Sequence, residues 1–131
     1  MRASRLARPK ASEAALVFLA ALGFAWAAFR PFAARFQDHL APNLYDPLLN
    51  LSLMAWGAHQ LPLGWSGFWN APFLYPADTV MALADHNVGP ALFALVVEKL
   101  GLSLTAGYNL QLLLSFPVAA LGAHVLFRSG G

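Results

Sequence analysis

The chain has 131 residues, of which 59% are hydrophobic and only 11% are charged, and its formal net charge is +2. Typical soluble domains carry roughly 25% charged residues, and a small protein has a large surface that polar groups must cover, so this composition excludes an ordinary soluble domain. The absence of cysteine excludes disulfides, thiolate catalysis and cysteine-based metal centres. These properties predict an all-α integral membrane protein.

Residues 1–11 are predicted to form a basic cytoplasmic N-terminus. Basic clusters can bind nucleic acid, but this one adjoins a hydrophobic segment, which is typical of anchoring under the positive-inside rule. We therefore expect membrane lipid as the partner of this segment, and no nucleic acid. The cluster consists of Arg2, Arg5, Arg8 and Lys10.

The first transmembrane helix is predicted over 12–34. Its central part carries no charge. Together with its flanking residues, the helix is long enough to cross a hydrocarbon core of about 30 Å if the side chain of Arg30 snorkels to the interface. The alternative is a cleaved signal peptide, because Ala25-Trp26-Ala27 fits a small-x-small cleavage site. The bulk of Trp26 argues against cleavage, and the remaining chain would still be too apolar for a secreted protein.

Residues 35–86 are predicted to form an extracytoplasmic loop on the membrane surface, since proline and aromatic residues are dense there and aromatic rings collect at membrane interfaces. Asp46 and Pro47 suit the N-cap and the first position of a helix over about 47–60. Polar residues along this stretch favour an interfacial helix over a span. The aromatic side chains that we expect at headgroup depth are Trp65, Phe68, Trp69 and Tyr75.

Two further transmembrane helices are predicted, over 87–104 and 105–128, which gives about three spans in total. Gly101 is expected to cap the end of the helix before it. With three spans and a cytoplasmic N-terminus, Arg128 lies outside, in what we expect to be a bacterial inner membrane. Residues 129–131 form a tail, and we expect a longer parent chain whose other helices contact the polar residues of the last span.

Two acids near the predicted outer boundary are the candidates for chemistry. Asp46 and Asp85 can act as a general base toward an acceptor hydroxyl, or hold a divalent cation beside a phosphate, and His86 can donate to an anionic leaving group. Helix capping is the competing interpretation of both acids. His59 and His86 are too isolated to form a metal motif, and spacing alone assigns no cofactor beyond such a cation.

A series of short motifs resembles the GT-C class of membrane glycosyltransferases, in particular the bacterial branch related to protein-mannosyl and aminoarabinose transferases. Their order and spacing are similar to the first part of such enzymes, over roughly residues 12–128. The motifs are Asp46-Pro47-Leu48-Leu49-Asn50, Trp56-Gly57-Ala58-His59, Phe68-Trp69-Asn70-Ala71-Pro72-Phe73-Leu74-Tyr75-Pro76, Ala84-Asp85-His86-Asn87-Val88-Gly89 and Gly107-Tyr108-Asn109-Leu110.

The resemblance implies that Asp46 is the catalytic residue and that Asp85, His86, Asn50 and His59 contact the substrates. It implies transfer of a sugar from a polyprenyl-phosphate-linked donor to an acceptor at the extracytoplasmic face. Relatives commonly carry glutamate at the position of Asp85. The carboxylate of Asp85 reaches less far, because the aspartate side chain is shorter. Later loops complete the sites of such enzymes, so this segment alone is expected to be inactive. The alternative is a non-catalytic membrane subunit or a lipid-interacting assembly protein.

Overall fold

The computed structural model describes residues 10–40, 45–73 and 76–130. Over these residues every regular element is a helix, which confirms the predicted all-α class. Four α-helices of this part of the chain are joined by short 3₁₀ helices and turns. The α-helices are α1 (Ala11–Phe29), α2 (Tyr45–Gln60), α3 (Val88–Lys99) and α4 (Leu104–Gly130), and the 3₁₀ helices are Arg30–Arg35, Leu61–Leu63 and Val80–Leu83.

Two helical segments are long and apolar enough to cross a membrane, judged by length and composition. They are Ala11–Arg35 and Leu104–Ser129, with 25 and 26 residues, and they cover the predicted first and last spans. Large apolar side chains on both point outward, such as Phe24 at 75% exposure and Val118 at 61%. Apolar residues on the outside of a helix are the pattern expected where lipid surrounds it.

The segment predicted as a span over 87–104 folds differently. Its helix, α3, has only 12 residues, so it is about 18 Å long, well short of a hydrocarbon core of about 30 Å. Within the described residues, the structure thus has two helices that are long enough to span a membrane. The sequence predicts about three.

A Schellman motif at Gly101 is the physical reason why α3 is short. The residue has φ +80°, a left-handed conformation that glycine adopts without steric cost. The amide of Gly101 donates to the carbonyl of Glu98, and the amide of Leu102 donates to that of Val97, at 2.9 and 3.2 Å. These two bonds define the motif. They stop the helix before Ser103, as the predicted glycine cap implies.

Helices α2 and α3 pack against each other at close range through small residues. A Cβ built on Gly57 would lie 2.6 Å from the Cβ of Ala91, so a side chain at position 57 would force the two helices apart. Ala58 and Ala94 are buried beside this contact. Small residues let two helix backbones approach closely, which increases the van der Waals contact between them.

The loop after α2 is held by a buried aromatic cluster. Phe68 is only 2% exposed and packs with Leu53 and Met81, and its carbonyl accepts a hydrogen bond of 2.8 Å from the indole Nε1 of Trp56. Phe68 is therefore a core residue, whereas the neighbouring Trp69 is 48% exposed. The interfacial prediction for Tyr75 falls outside the described residues.

The chain divides into two compact units, Met1–Ala34 with Leu112–Gly131, and Arg35–Gln111. In the first unit, Arg128 near the end of α4 forms an ion pair with Glu13 near the start of α1. This pairing differs from the predicted arrangement, in which three spans place Arg128 and the N-terminus on opposite sides of the membrane.

In the second unit, the turn that follows Arg35 is fixed to the start of α4. Ser103 Oγ donates to the carbonyl of Gln37 at 2.6 Å, and its amide donates to the Gln37 side chain at 3.1 Å. The side chain of Asn109, which is fully buried, donates to the carbonyls of Phe36 and His39 at 2.9 and 2.7 Å. Hydrogen bonds therefore connect the residues that follow the first candidate span to those at the start of the second.

Candidate functional site

Asp46 lies in the first turn of α2, and its side chain is exposed. The helix begins at Tyr45, one residue before the predicted N-cap, so Asp46 is a first-turn residue. A carboxylate there interacts favourably with the positive end of the helix dipole. Because it is exposed, this carboxylate can be reached by a substrate hydroxyl or a cation.

A hydrogen bond between Asn50 and Asn87 connects the start of α2 to the segment that precedes α3. Nδ2 of Asn87 donates to Oδ1 of Asn50 at 3.1 Å, across 37 positions of sequence. Asn50 lies one helical turn after Asp46, on the same side of α2. Asn87 has φ +44° and directly follows Asp85 and His86. The bond therefore brings the turn that carries Asp46 together with the 85–87 segment.

His86 is exposed and sits against the aromatic loop. Its imidazole meets the ring of Trp69 edge-on, with centroids 5.3 Å apart and planes at 86°, and it lies 6.3 Å from the ring of Phe68. Such edge-to-face contacts orient a ring without consuming its hydrogen-bonding nitrogens. Asp85, next to it, is exposed as well.

His59 lies at the other end of α2, and the structure does not bring it into this group. Thirteen residues of helix separate it from Asp46, which corresponds to about 20 Å. Its ring stacks at a tilt on Trp56, with centroids 5.9 Å apart. Of the predicted substrate-contacting residues, Asn50, Asp85 and His86 therefore belong to one region, and His59 to another.

Three residues near this region were not among the predicted site residues. Asn87 is the partner of Asn50, Trp69 contacts His86, and the Tyr108 phenol lies within Coulombic range of the Asp46 carboxylate. All three lie inside the motifs that carry the family resemblance. Their roles depend on contacts between distant segments, which short motifs do not reveal.

A separate charged group lies just after the first candidate span. The guanidinium of Arg35 is 3.2 Å from the carboxylate of Asp38. Nδ1 of His39 is 3.4 Å from the same carboxylate, at ion-pair distance but outside hydrogen-bond geometry. Desolvation acts to raise the pKa of Asp38, but the hydrogen bond and charge of Arg35, together with His39, outweigh it and lower this pKa below its ordinary value.

Among residues 10–40, 45–73 and 76–130, no group of three or more acidic or histidine side chains is placed to hold a metal ion.

Comparison with known proteins gives no match to this chain, whether with family models, curated proteins or solved structures. The resemblance to membrane glycosyltransferases therefore rests on the motifs quoted above.

Proposed function

We propose that this chain is part of a membrane glycosyltransferase of the GT-C class. The enzyme moves a sugar from a polyprenyl-phosphate-linked donor to an acceptor at the extracytoplasmic face. The observation that supports the proposal is the hydrogen bond between Asn50 and Asn87, because it joins the turn of the candidate base, Asp46, to the acid and histidine at 85 and 86.

In this mechanism Asp46 accepts the proton of the acceptor hydroxyl. The oxygen then forms a bond to the anomeric carbon while the bond from that carbon to the donor phosphate breaks, which inverts the configuration. Polyprenyl phosphate departs with the electron pair of the broken bond. His86 donates a hydrogen bond to this anionic leaving group, while the hydrogen bond between the amides of Asn50 and Asn87 holds the two segments together.

The proposed topology has two spans, α1 and α4, that run in opposite directions. The ion pair between Glu13 and Arg128 supports it at one end, and the bonds from Ser103 and Asn109 to the turn at 36–39 support it at the other. Glu13 and Arg128 then lie on the same side of the membrane. The positive-inside rule makes this the cytoplasmic side, since Lys10 and Arg128 are basic and each lies at an end of a span.

Reporter fusions test this topology. A reporter after Lys10 and one after Ser129 should both be active in the cytoplasm, and one at Asp78 should be active outside. A reporter at Ser129 that is active only on the outer side would contradict the two-span arrangement and restore the three-span prediction.

The substitution Asp46→Asn, made in the longer parent protein that the resemblance implies, tests the catalytic role. The side chain keeps its size but loses its charge and its basicity, so sugar transfer from a polyprenyl-phosphate donor in membranes should fall about 10²–10⁴-fold. Loss of the favourable interaction with the helix dipole should cost only about 0.3–1 kcal/mol in stability. Protein level and unfolding are therefore measured alongside transfer.

Asp78→Asn is the matched control, because Asp78 is also an exposed loop acid but lies in another part of the loop. It should leave transfer unchanged. Wild-type transfer by Asp46→Asn would remove this residue from the mechanism and would favour the alternative of a non-catalytic membrane subunit.

A further inference from the structure

We propose that the indole of Trp69 is the surface on which the transferred sugar of the donor stacks. This inference rests on the proposed function and adds a sugar-binding residue to the candidate site. Trp69 is 48% exposed, although tryptophan is on average a highly buried residue. Ligand sites combine aromatic side chains with a few polar groups that fix the orientation of the ligand, and both are present around this ring.

Both aromatic contacts of Trp69 come from one side of its ring. The ring centroids of Phe68 and His86 lie 5.4 and 5.3 Å from that of Trp69 and 6.3 Å from each other. These distances make an acute angle at Trp69, so the two neighbours share one side of the indole. Their rings stand at 82° and 86° to it, which is the edge-to-face geometry that aromatic pairs favour. The exposed part of the indole therefore faces away from these two rings.

The backbone around Trp69 is fixed by hydrogen bonds. The carbonyl of Trp69 accepts from the amide of Met81 at 3.2 Å, and Met81 is fully buried. The next side chain, Asn70, accepts from the amide of Thr79 at 3.2 Å through its Oδ1. The preceding residue, Phe68, is 2% exposed. A ring that is already held in place loses little conformational freedom when a ligand stacks on it, so Trp69 is pre-organised for binding.

The groups beside the indole fit a sugar better than a lipid chain. A pyranose presents C–H groups on its face and hydroxyl groups around its rim. The C–H groups carry a partial positive charge that complements the negative face of an aromatic ring, and their burial against the indole is favourable. His86, in contact with Trp69, and the adjacent residues Asp85 and Asn70 are exposed and supply hydrogen-bonding groups for the rim hydroxyls. An acyl chain would desolvate these polar groups without pairing them.

The contact with His86 indicates which sugar of the reaction occupies the indole. In the proposed mechanism His86 donates a hydrogen bond to the departing phosphate, and the transferred sugar stays bonded to this phosphate until the bond breaks. A pyranose attached to a phosphate at His86 therefore lies beside Trp69, whose ring is 5.3 Å from the imidazole. The acceptor approaches the anomeric carbon from the opposite side, because the reaction inverts the configuration.

Nuclear magnetic resonance of the four indole N–H groups tests the inference on this chain. The isotope-labelled chain is placed in dodecylphosphocholine micelles, whose headgroup contains no sugar. It is titrated with methyl α-mannopyranoside, methyl β-glucopyranoside and methyl β-arabinopyranoside. The Trp69 signal, identified by its loss in Trp69→Phe, should move saturably in the millimolar range with at least one of them, while the signals of Trp26 and Trp56 stay in place. Glycerol, a polyol without a ring, should move none of the four signals.

Saturation transfer from the protein to the sugar protons compares the variants. Trp69→Leu should abolish this transfer. Trp69→Phe should retain part of it, because phenylalanine keeps an aromatic face and the edge-to-face contacts that hold it. Leu83→Ala is the matched control, since Leu83 is an apolar side chain of the same loop that is 82% exposed, and it should leave the transfer unchanged.

Steady-state kinetics of the longer parent protein test the assignment to the donor. Trp69→Leu should raise the KM for the polyprenyl-phosphate-linked donor several-fold and leave the KM for the acceptor unchanged, because only the donor sugar stacks on the indole. A raised KM for the acceptor alone would overturn the assignment to the donor.

Two results in the chain itself would overturn the inference. One is a Trp69 signal that none of the three sugars moves; if a nitroxide-labelled lipid then broadens this signal as strongly as that of Trp26, the indole belongs to the membrane surface. The other is unchanged saturation transfer in Trp69→Leu, which would show that the sugar binds elsewhere. Loss of sugar transfer in Asp46→Asn without a sugar response at Trp69 would leave the proposed function intact. A sugar response together with wild-type transfer by Asp46→Asn would reject the proposed base and keep the sugar site.

Discussion

The substitution Gly57→Ala should strain the contact between α2 and α3. The added Cβ would lie 2.6 Å from the Cβ of Ala91, whereas carbon atoms pack best at about 3.5–4.0 Å. The helices must therefore separate by about 1 Å at this point, and overpacking of this kind costs about 1–3 kcal/mol. Alanine also favours a helix by about 1 kcal/mol relative to glycine, so the net loss of stability should be about 0–2 kcal/mol.

A double-mutant cycle separates the strain from the helix propensity. Ala91→Gly removes the opposing Cβ, so the double variant Gly57→Ala with Ala91→Gly should regain the lost packing. The propensity terms cancel in the cycle, and the coupling between the two positions should equal the overpacking cost of about 1–3 kcal/mol. Gly122→Ala is the control, because a Cβ there meets nothing within 4 Å and only the propensity gain remains.

Tryptophan fluorescence during unfolding in detergent micelles measures these free energies. Trp56 is a direct probe of unfolding in this region, since its indole donates a hydrogen bond to the carbonyl of Phe68 in the loop after α2. The prediction fails if the coupling energy is near zero and Gly57→Ala raises the free energy of unfolding as much as Gly122→Ala does. That result would show that α2 and α3 do not approach each other as closely as described.

Two further predictions concern the ends of the spans. Asn109→Ala removes two hydrogen bonds to backbone carbonyls and should cost about 1–3 kcal/mol in the same unfolding assay. Asn109→Asp should cost more, since it places a buried carboxylate against two carbonyl oxygens. Ser115→Ala on the exposed side of α4 should change stability by less than about 0.5 kcal/mol. Because the native pKa of Asp38 is lowered, its contribution to stability is present above its unfolded pKa and is lost as pH falls through the native pKa. An NMR titration of the Asp38 carboxyl should show its pKa rising toward the ordinary value in Arg35→Gln, and an unchanged titration would remove Arg35 as the cause.

The two long helices and one helix end could be predicted from the sequence because their signals are local. A largely apolar run without charge defines the centre of α1, and another defines that of α4. Gly101 marks a stop because few other residues adopt its left-handed backbone conformation without strain. The positions of Asp46 and Asn50 on one side of α2 also follow from the helical repeat alone.

The packing of α3 was not predictable in the same way. Its residues are apolar on both faces, and that composition fits a span as well as a short helix that shares one face with a neighbour. Gly101 ends the helix, but the contact of Ala91 with Gly57, which packs one face of α3 against α2, is seen only in the tertiary structure.

The candidate site likewise has features that were predictable from the sequence and features that were not. Composition and the order of the motifs determined that the chain is helical and apolar, and which acids are candidates for chemistry. Only the tertiary structure decided that Asn50 meets Asn87. It likewise decided that Arg128 pairs with Glu13. The physical reason is that helix formation depends on neighbours within a few residues, whereas these pairings join groups 37 and 115 positions apart, whose meeting depends on how the helices pack.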